Sequence, residues 1–298
     1  MANTKELQKR MKSIQDTMKI TSAMYMISSS KLRTAKKKLE EAEPYFFKLQ
    51  SAISRLLRHI PEVHTAFFDP KDHIPDSEKK RGFIVITADK GLAGAYNHNV
   101  IKKTHELLEM GTHNKVFAVG EAGRQIFNKE NLEVDKHFMY TVQKPTLHRA
   151  RVIEDHVLNL YLEGELDEIY IVYTKMENAF SMTTETKRLV PMEKSEFQNM
   201  KVPVDTYQEE IRLAAEPEYI MDRVIRSYVN GFIYGSLVES YCSEQNSRMM
   251  AMESATTSAK DMLASLSKEY NQVRQAAITQ EITEVSSGAK AQKRKRKR

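Results

Sequence analysis

Apolar residues recur every three or four positions along two long stretches at the ends of the chain, and crowd into short β-branched runs between them. In the first stretch a 4-3 repeat passes through Leu7, Met11, Ile14, Met18, Thr21, Tyr25, Ser28, Leu32, Ala35, Leu39 and Ala42. Sustained over five heptads, this spacing predicts a coiled-coil seam on a helix from Thr4 to Arg58. Thr21 and Ser28 keep the middle of the seam small and polar. Ile20, Ala23, Met24, Met26 and Ile27 widen the apolar surface beyond what a two-stranded coil can cover, which predicts a further contact. Pro44 is expected to bend or break the helix, and residues 61–81, with Pro61, Pro70 and Pro75, to form a polar linker.

The middle of the chain alternates between short strands and helices. Strands are predicted at Gly82–Thr87, Val116–Val119 and Glu168–Tyr173, with an edge strand over Ser181–Val190. Helices are predicted near Asn97–Met110, Glu121–Phe127 and Leu147–Leu162. That order implies an α/β domain over 82–212 with a largely parallel sheet. From Pro217 to Ser286 a helical pattern then runs for about 70 residues, or roughly 100 Å if unbroken. Its seam reads Val224, Tyr228, Gly231, Gly235, Val238, Cys242, Gln245, Met249, Met252, Thr256, Ala259, Leu263, Leu266, Tyr270, Val273 and Ala277. No single globular core buries such a helix, so it is expected to pair antiparallel with the N-terminal one. It should outrun that partner, leaving an apolar overhang at Ala276–Val285.

The fold class is therefore mixed: a long antiparallel coiled coil of N- and C-terminal helices (1–60 and 213–289) with an inserted Rossmann-like α/β domain, followed by a basic tail, 290–298. Charge supports the pairing. Lys293 to Arg298 account for the whole net charge of +6, and residues 1–292 sum to zero. Within that neutral body residues 1–39 balance at +8 and residues 216–289 at −4, so the two ends are electrostatically complementary. One cysteine, Cys242, cannot form an internal disulfide, which points to a reducing compartment. The start of the chain lacks an apolar signal core, and no apolar run is long enough to span a membrane.

Candidate chemistry is sparse. The turn Asp89–Asn97 lies where phosphate loops occur but lacks both G-x-G-x-x-G and a closing Gly-Lys-Ser/Thr, so it reads as a structural strand-to-helix turn. His98, His105 and Glu109 share a helix face at i, i+7 and i+11, not at ligand spacing. Cys242 sits in a helical seam and reads as a packing residue. Gly231 and Gly235 have G-x-x-x-G spacing, but Arg226, Asn230 and Glu239 exclude a membrane span, which leaves close approach to a neighbouring helix. The tail lacks interleaved aromatics, so a solvated, disordered segment is expected. Two alternatives stay in view: an enzyme using the α/β domain, and a coiled-coil scaffold or nucleic-acid binder using the tail.

Four stretches resemble a known family. Arg10–Arg33 is similar to the start of the gamma subunit of the rotary, proton-translocating F-type ATP synthase, of bacterial type; Ile86–Asn97 resembles its central-domain motif. Arg248–Thr256 and Tyr270–Ile282 resemble its C-terminal signature. The resemblance implies a non-catalytic rotor shaft without cofactor or small-molecule substrate. Its partners would be a hexamer of alternating alpha and beta subunits (alpha3beta3), the epsilon subunit and the membrane c ring. One copy would serve each complex, peripheral on the cytoplasmic face of the bacterial membrane. By motif position it implies stator contacts at Met24, Arg248, Arg274, Gln275 and Thr279, and a ring contact at Glu216. It also implies that the basic N-terminal helix meets an acidic loop of the beta subunits. The chain departs from the family at Ala93 and Ala95, where cysteine and glycine are frequent. It departs also at Ala214-Ala-Glu-Pro217, which lacks an aromatic residue before Glu-Pro, and in the basic extension past Ala289.

Overall fold

A computed structural model describes residues 4–109, 111–132, 134–136, 138–198 and 213–295. The order is α1 (Thr4–His59), a 3-10 turn (Ala66–Phe68), β1 (Arg81–Ile86), α2 (Tyr96–Leu108), β2 (Asn114–Val119), α3 (Glu121–Lys129) and α4 (Leu147–Leu162). Then follow β3 (Glu168–Met176), β4 (Met182–Val190), α5 (Lys194–Gln198) and α6 (Pro217–Lys295). The part of the expected α/β domain at 199–212 lies outside the described residues. The chain divides into two compact units, residues 1–27 with 249–298, and residues 28–248.

In the first unit the ends of α1 and α6 run antiparallel. Gln8 donates to the Tyr270 hydroxyl at 2.8 Å, and the Thr21 and Thr256 hydroxyls share a hydrogen bond of 2.7 Å. The small polar step expected in the seam is thus a bonded pair of threonines. Leu7, Thr21, Met252, Ala259 and Leu266 are buried, and the other seam positions of this unit are partly buried as far as Val273. From Arg274 to Lys290 every residue of α6 is exposed. The helix does not stop at Ser286 but continues to Lys295, so the first six tail residues are helical where a disordered segment was expected; residues 296–298 lie outside the described residues.

In the second unit a four-stranded sheet has the order β2-β1-β3-β4, with β1 parallel to both β2 and β3 and β4 antiparallel at the edge. All six residues of β1 are buried, as a central parallel strand covered on both faces requires. The free side of β2 carries isolated bridges from Val134 and Tyr140. α1 and α6 are antiparallel here too: Lys31 acts electrostatically on Glu244, Lys36 on Cys242, and Phe46 stacks on Tyr228 at 5.1 Å. α1 continues through Pro44, against expectation. Pro44 is exposed, and Phe46 two residues on is anchored on Tyr228 and Phe232, so packing holds the turn that proline weakens. Nor do the G-x-x-x-G glycines mark a forced approach. A methyl at Gly231 would meet Leu49 at 3.6 Å, an ordinary contact, and one at Gly235 would meet nothing within 4 Å.

Residues 61–81, expected as a polar linker, are packed. Val63 and Phe67 are buried, Phe67 stacks on Tyr161 at 6.2 Å, and the Tyr161 hydroxyl donates to Ala66 O at 2.7 Å. At the start of the sheet Lys79 and Arg81 are buried against Glu168, at 3.0 and 2.9 Å, and Arg81 also pairs with Asp76. Lys71 pairs with Asp167 at 3.1 Å. Burial by itself would raise Glu168 and Asp167. Hydrogen bonds outweigh it, from Lys79, Arg81 and Tyr170 on Glu168 and from Lys80 N–H and Lys71 on Asp167, and hold both carboxyls below their ordinary values.

Replacing Arg81 by Met leaves Glu168 with one buried cation fewer and is expected to cost about 3–5 kcal/mol in urea unfolding. Because both carboxylates have depressed pKa values, their contribution is present above the ordinary values of 4.5 and 3.8 and is lost as pH falls through the lower folded values. Unfolding midpoints measured from neutral to acidic pH should fall less steeply in Arg81→Met than in the parent chain. Gly235→Ala should raise stability by roughly 0.5–1 kcal/mol, since a helix interior gains from alanine and nothing obstructs the methyl.

Candidate functional site

In a doubly wound α/β domain a ligand sits beyond the carboxyl ends of the strands, where successive connections leave a strand in opposite directions. Here that point lies between β1 and β3, because the chain passes from β1 to β2 on one side and returns to β3 on the other. The crevice is filled by the chain's own α6. Ser240 Oγ accepts from Thr174 N–H at 3.2 Å and Ser243 Oγ donates to Thr174 O at 3.0 Å. Asn246 donates to Ala179 O at 2.8 Å and Ser247 to Ala93 O at 2.6 Å. Arg248, 8% exposed, donates to Lys90 O and Gly91 O at 3.2 Å each and pairs with Glu244. Burial pushes the Glu244 carboxyl up, and the charge and hydrogen bond of Arg248 pull it back.

The turn Asp89–Asn97 therefore directs three carbonyls at α6. Its acidic residue occupies the place where an anion would meet free N–H groups: Asp89 accepts from Glu121, Val142 and Gln143 N–H, each at 3.3 Å. Gly120, φ +99°, is needed for the next turn, since a methyl there would strike Thr87 O at 2.3 Å. Of the weaker candidates, His98 is exposed and His105 pairs with Glu130 at 2.9 Å. Among the described residues no group of three His, Cys, Asp or Glu side chains could hold a metal ion. Cys242 is buried and its thiol is pushed up to about 12, chiefly by burial, which keeps it protonated and unreactive. No helix among the described residues is long and apolar enough to cross a membrane.

The residues singled out by motif position do not form one cluster. Arg248 belongs to the second unit and is committed to Glu244 and the 89–97 turn. Met24 is half-buried in the first unit, beside exposed Ile20, Met26 and Ile27. Arg274, Gln275 and Thr279 lie on the part of α6 beyond the last seam residue; all three are exposed, and the Thr279 hydroxyl bonds only back to Gln275 O, at 2.9 Å. The same segment exposes Ile278, Ile282 (64%) and Val285 (74%). Glu216 is exposed just before α6, where its carbonyl accepts from Ile220 N–H. Sequence reasoning missed the polar row Ser240, Ser243, Asn246 and Ser247. Its signal was available: a helix whose seam is flanked by small polar residues on its other faces needs polar partners there.

These features define a class: a two-helix antiparallel coil bearing an α/β domain whose ligand crevice is occupied by hydrogen-bonding side chains of the coil itself. The sequence profile of the ATP synthase family matches residues 3–292. The chain is 41% identical over 298 residues to the ATP synthase gamma chain of Acetivibrio thermocellus, covering 98% of this chain and 100% of that one. It is 34% identical to the sodium ion specific ATP synthase gamma chain of Acetobacterium woodii, covering 97% and 98%. A chain of the central stalk and c-ring structure of the Tetrahymena thermophila mitochondrial ATP synthase superposes with a TM-score of 0.57 at 23% identity, covering 79% of this chain and 99% of that one. A chain of the Euglena gracilis mitochondrial enzyme gives 0.54 at 15% identity, covering 91% and 95%. The chain belongs to the ATP synthase gamma-chain family. It is a non-catalytic subunit, and neither the scaffold nor the nucleic-acid alternative finds support among these relatives.

Arg248→Met should cost about 3–5 kcal/mol by stranding Glu244, and should speed hydrogen exchange in the 89–97 turn. Arg274→Ala should leave the unfolding midpoint within about 0.5 kcal/mol, because its side chain is exposed.

Proposed function

We propose that the chain is the central-stalk rotor subunit of an F-type ATP synthase, linking rotation of the membrane c ring to the conformational cycle of the catalytic beta subunits. The observation that carries this reading is the exposed, partly apolar end of α6 past Val273, on a chain that matches gamma chains over its full length. An apolar helix end facing solvent is stabilised by a surrounding partner surface. A hexamer of alternating alpha and beta subunits supplies such a surface. Each beta subunit meets a different side of the shaft, and its binding equilibrium shifts by the difference in contacts. One copy acts per complex, with the epsilon subunit and c ring near Glu216. Met24, Arg274, Gln275 and Thr279 are the contacts to the hexamer. The buried Arg248 acts by holding the 89–97 turn in place, and any contact of its own requires that turn to move.

The complex lies against the cytoplasmic face of the membrane. Relatives of the family include one named sodium ion specific. Acidic loops on the partner fit the basic first helix, whose residues 1–39 balance at +8.

The test is reconstitution. An alpha–beta mixture should gain rotation-coupled ATP hydrolysis on addition of the chain; equal turnover with and without it would refute the rotor role. Arg274→Ala and Gln275→Ala should each lower coupled turnover roughly fivefold, on the scale of one ordinary hydrogen bond, with unchanged circular dichroism. Deleting residues 277–298 should weaken coupling without unfolding the chain, because no residue in 277–290 is buried.

A further inference from the structure

Helices α1, α4 and α6 of the second unit enclose a cleft of about 630 Å³ that plays no part in the contacts discussed above. Tyr45 of α1 and Tyr219 of α6 flank it with exposed rings, Tyr219 being 58% exposed. Two buried acceptor oxygens in its wall lack a donor among the described residues. Asp222 Oδ1 and Asn230 Oδ1 are buried with no hydrogen-bond partner. Beside them Glu154, 3% exposed, accepts from Arg226 Nη1 at Oε1, at 3.4 Å. Buried acceptors left open cost roughly tenfold or more each in a folding equilibrium, so a cleft that sets two of them beside a buried carboxylate is suited to a ligand rich in donors.

We propose that this cleft binds a guanidinium group, its plane against Tyr45 and Tyr219 and its N–H fork directed at Glu154, Asp222 and Asn230. A metal ion needs its ligands gathered at one point, and among the described residues no three carboxylate, histidine or cysteine side chains are so gathered. A guanidinium has five donors and no acceptor, spread in a rigid plane, and stacks on aromatic faces. The site already shows that habit: the Arg223 guanidinium lies 5.8 Å from the Tyr219 ring centre. Charge permits a further cation. Glu154, Asp155 and Asp222 offset Arg151, Arg223 and Arg226, and Glu218 adds a negative charge that acts on Asp222.

Glu154 supplies a proton linkage. Its carboxyl is pushed up to about 7, first by burial and then by the charge of Asp155, with Arg226 across the cleft and Arg151 on its own helix pulling it back. From α1, among the described residues, Tyr45 lines the cleft. An entering cation favours the ionised carboxylate, so binding releases a proton near neutrality, and affinity rises with pH through about 7. The guanidinium comes either from a free arginine-like compound or from an arginine side chain of a partner subunit. The recognition chemistry is the same.

The experiment titrates the full-length chain with N-acetyl-arginine amide by calorimetry, with tyrosine fluorescence as a second readout since the chain has no tryptophan. The expected result is saturable binding that strengthens with pH and releases protons. Affinity should fall about tenfold in Asp222→Asn and in Tyr219→Ala, and be weaker for N-acetyl-lysine amide. Tyr219→Ala alters an exposed rim residue and keeps the test valid if Asp222→Asn fails to fold. In Glu154→Gln the proton release should vanish. Absence of saturable binding, or unchanged affinity in a folded Tyr219→Ala, overturns the proposal. Repeating the titration on the chain assembled with its partners distinguishes the sources, and each outcome upholds the site: lost binding assigns the cleft to a partner's arginine, retained binding to a free ligand. None of these readouts depends on the rotor reading.

Discussion

The second unit depends on one interaction: the polar row of α6 inserted into the crevice at the carboxyl ends of β1 and β3. Backbone groups at strand ends must find partners, and in nucleotide-binding domains of this layout many of them find phosphate and water. Here Thr174 spends both its N–H and its carbonyl on Ser240 and Ser243, and the carbonyls of Lys90, Gly91 and Ala93 are taken by Arg248 and Ser247. One helix thereby serves both as coiled-coil partner of α1 and as the permanent occupant of the domain's ligand position. A domain so occupied has its usual ligand position taken by its own helix, which agrees with membership in a family whose gamma chains are non-catalytic.

At the other end of the sheet, ion pairs do what apolar contacts do elsewhere. Lys79, Arg81 and Tyr170 converge on Glu168, and Lys71 with the Lys80 N–H on Asp167, so residues that look like linker are bound to the first turn of β3. Buried pairs of this kind add little net stability over an apolar equivalent, but losing one partner is costly. That asymmetry fixes the path of residues 71–81 more firmly than their composition suggests.

Legibility followed periodicity. The seam from Leu7 to Val273, the helix Leu147–Leu162 and the run of β1 were readable because long or all-apolar patterns are dictated by burial alone. The α6 overhang was readable for a related reason: a helix longer than its partner cannot be fully covered. Pro44 misled because local preference was overridden by Phe46 on Tyr228, and the linker misled because its lysines and arginine are satisfied by acids far along the chain. The glycine pair at 231 and 235 suggested a tight approach that the packing does not make. Of the motif-derived contacts, Arg274, Gln275 and Thr279 lie exposed beyond the seam, whereas Arg248 is turned inward by partners no spacing rule reveals.

By itself the sequence determined the long helices and the main strands, the antiparallel pairing of the two ends and the surplus length of the last helix, because periodicity, charge balance and length are properties of a chain read in order. Only the tertiary structure decided which side chains are spent internally and which are left for partners. Arg248 and Arg274 sit on one helix with the same chemistry. One is buried against Glu244 and two carbonyls, and the other faces solvent. The difference arises because hydrogen-bond partners of buried groups come from segments distant in sequence, which only folding brings together.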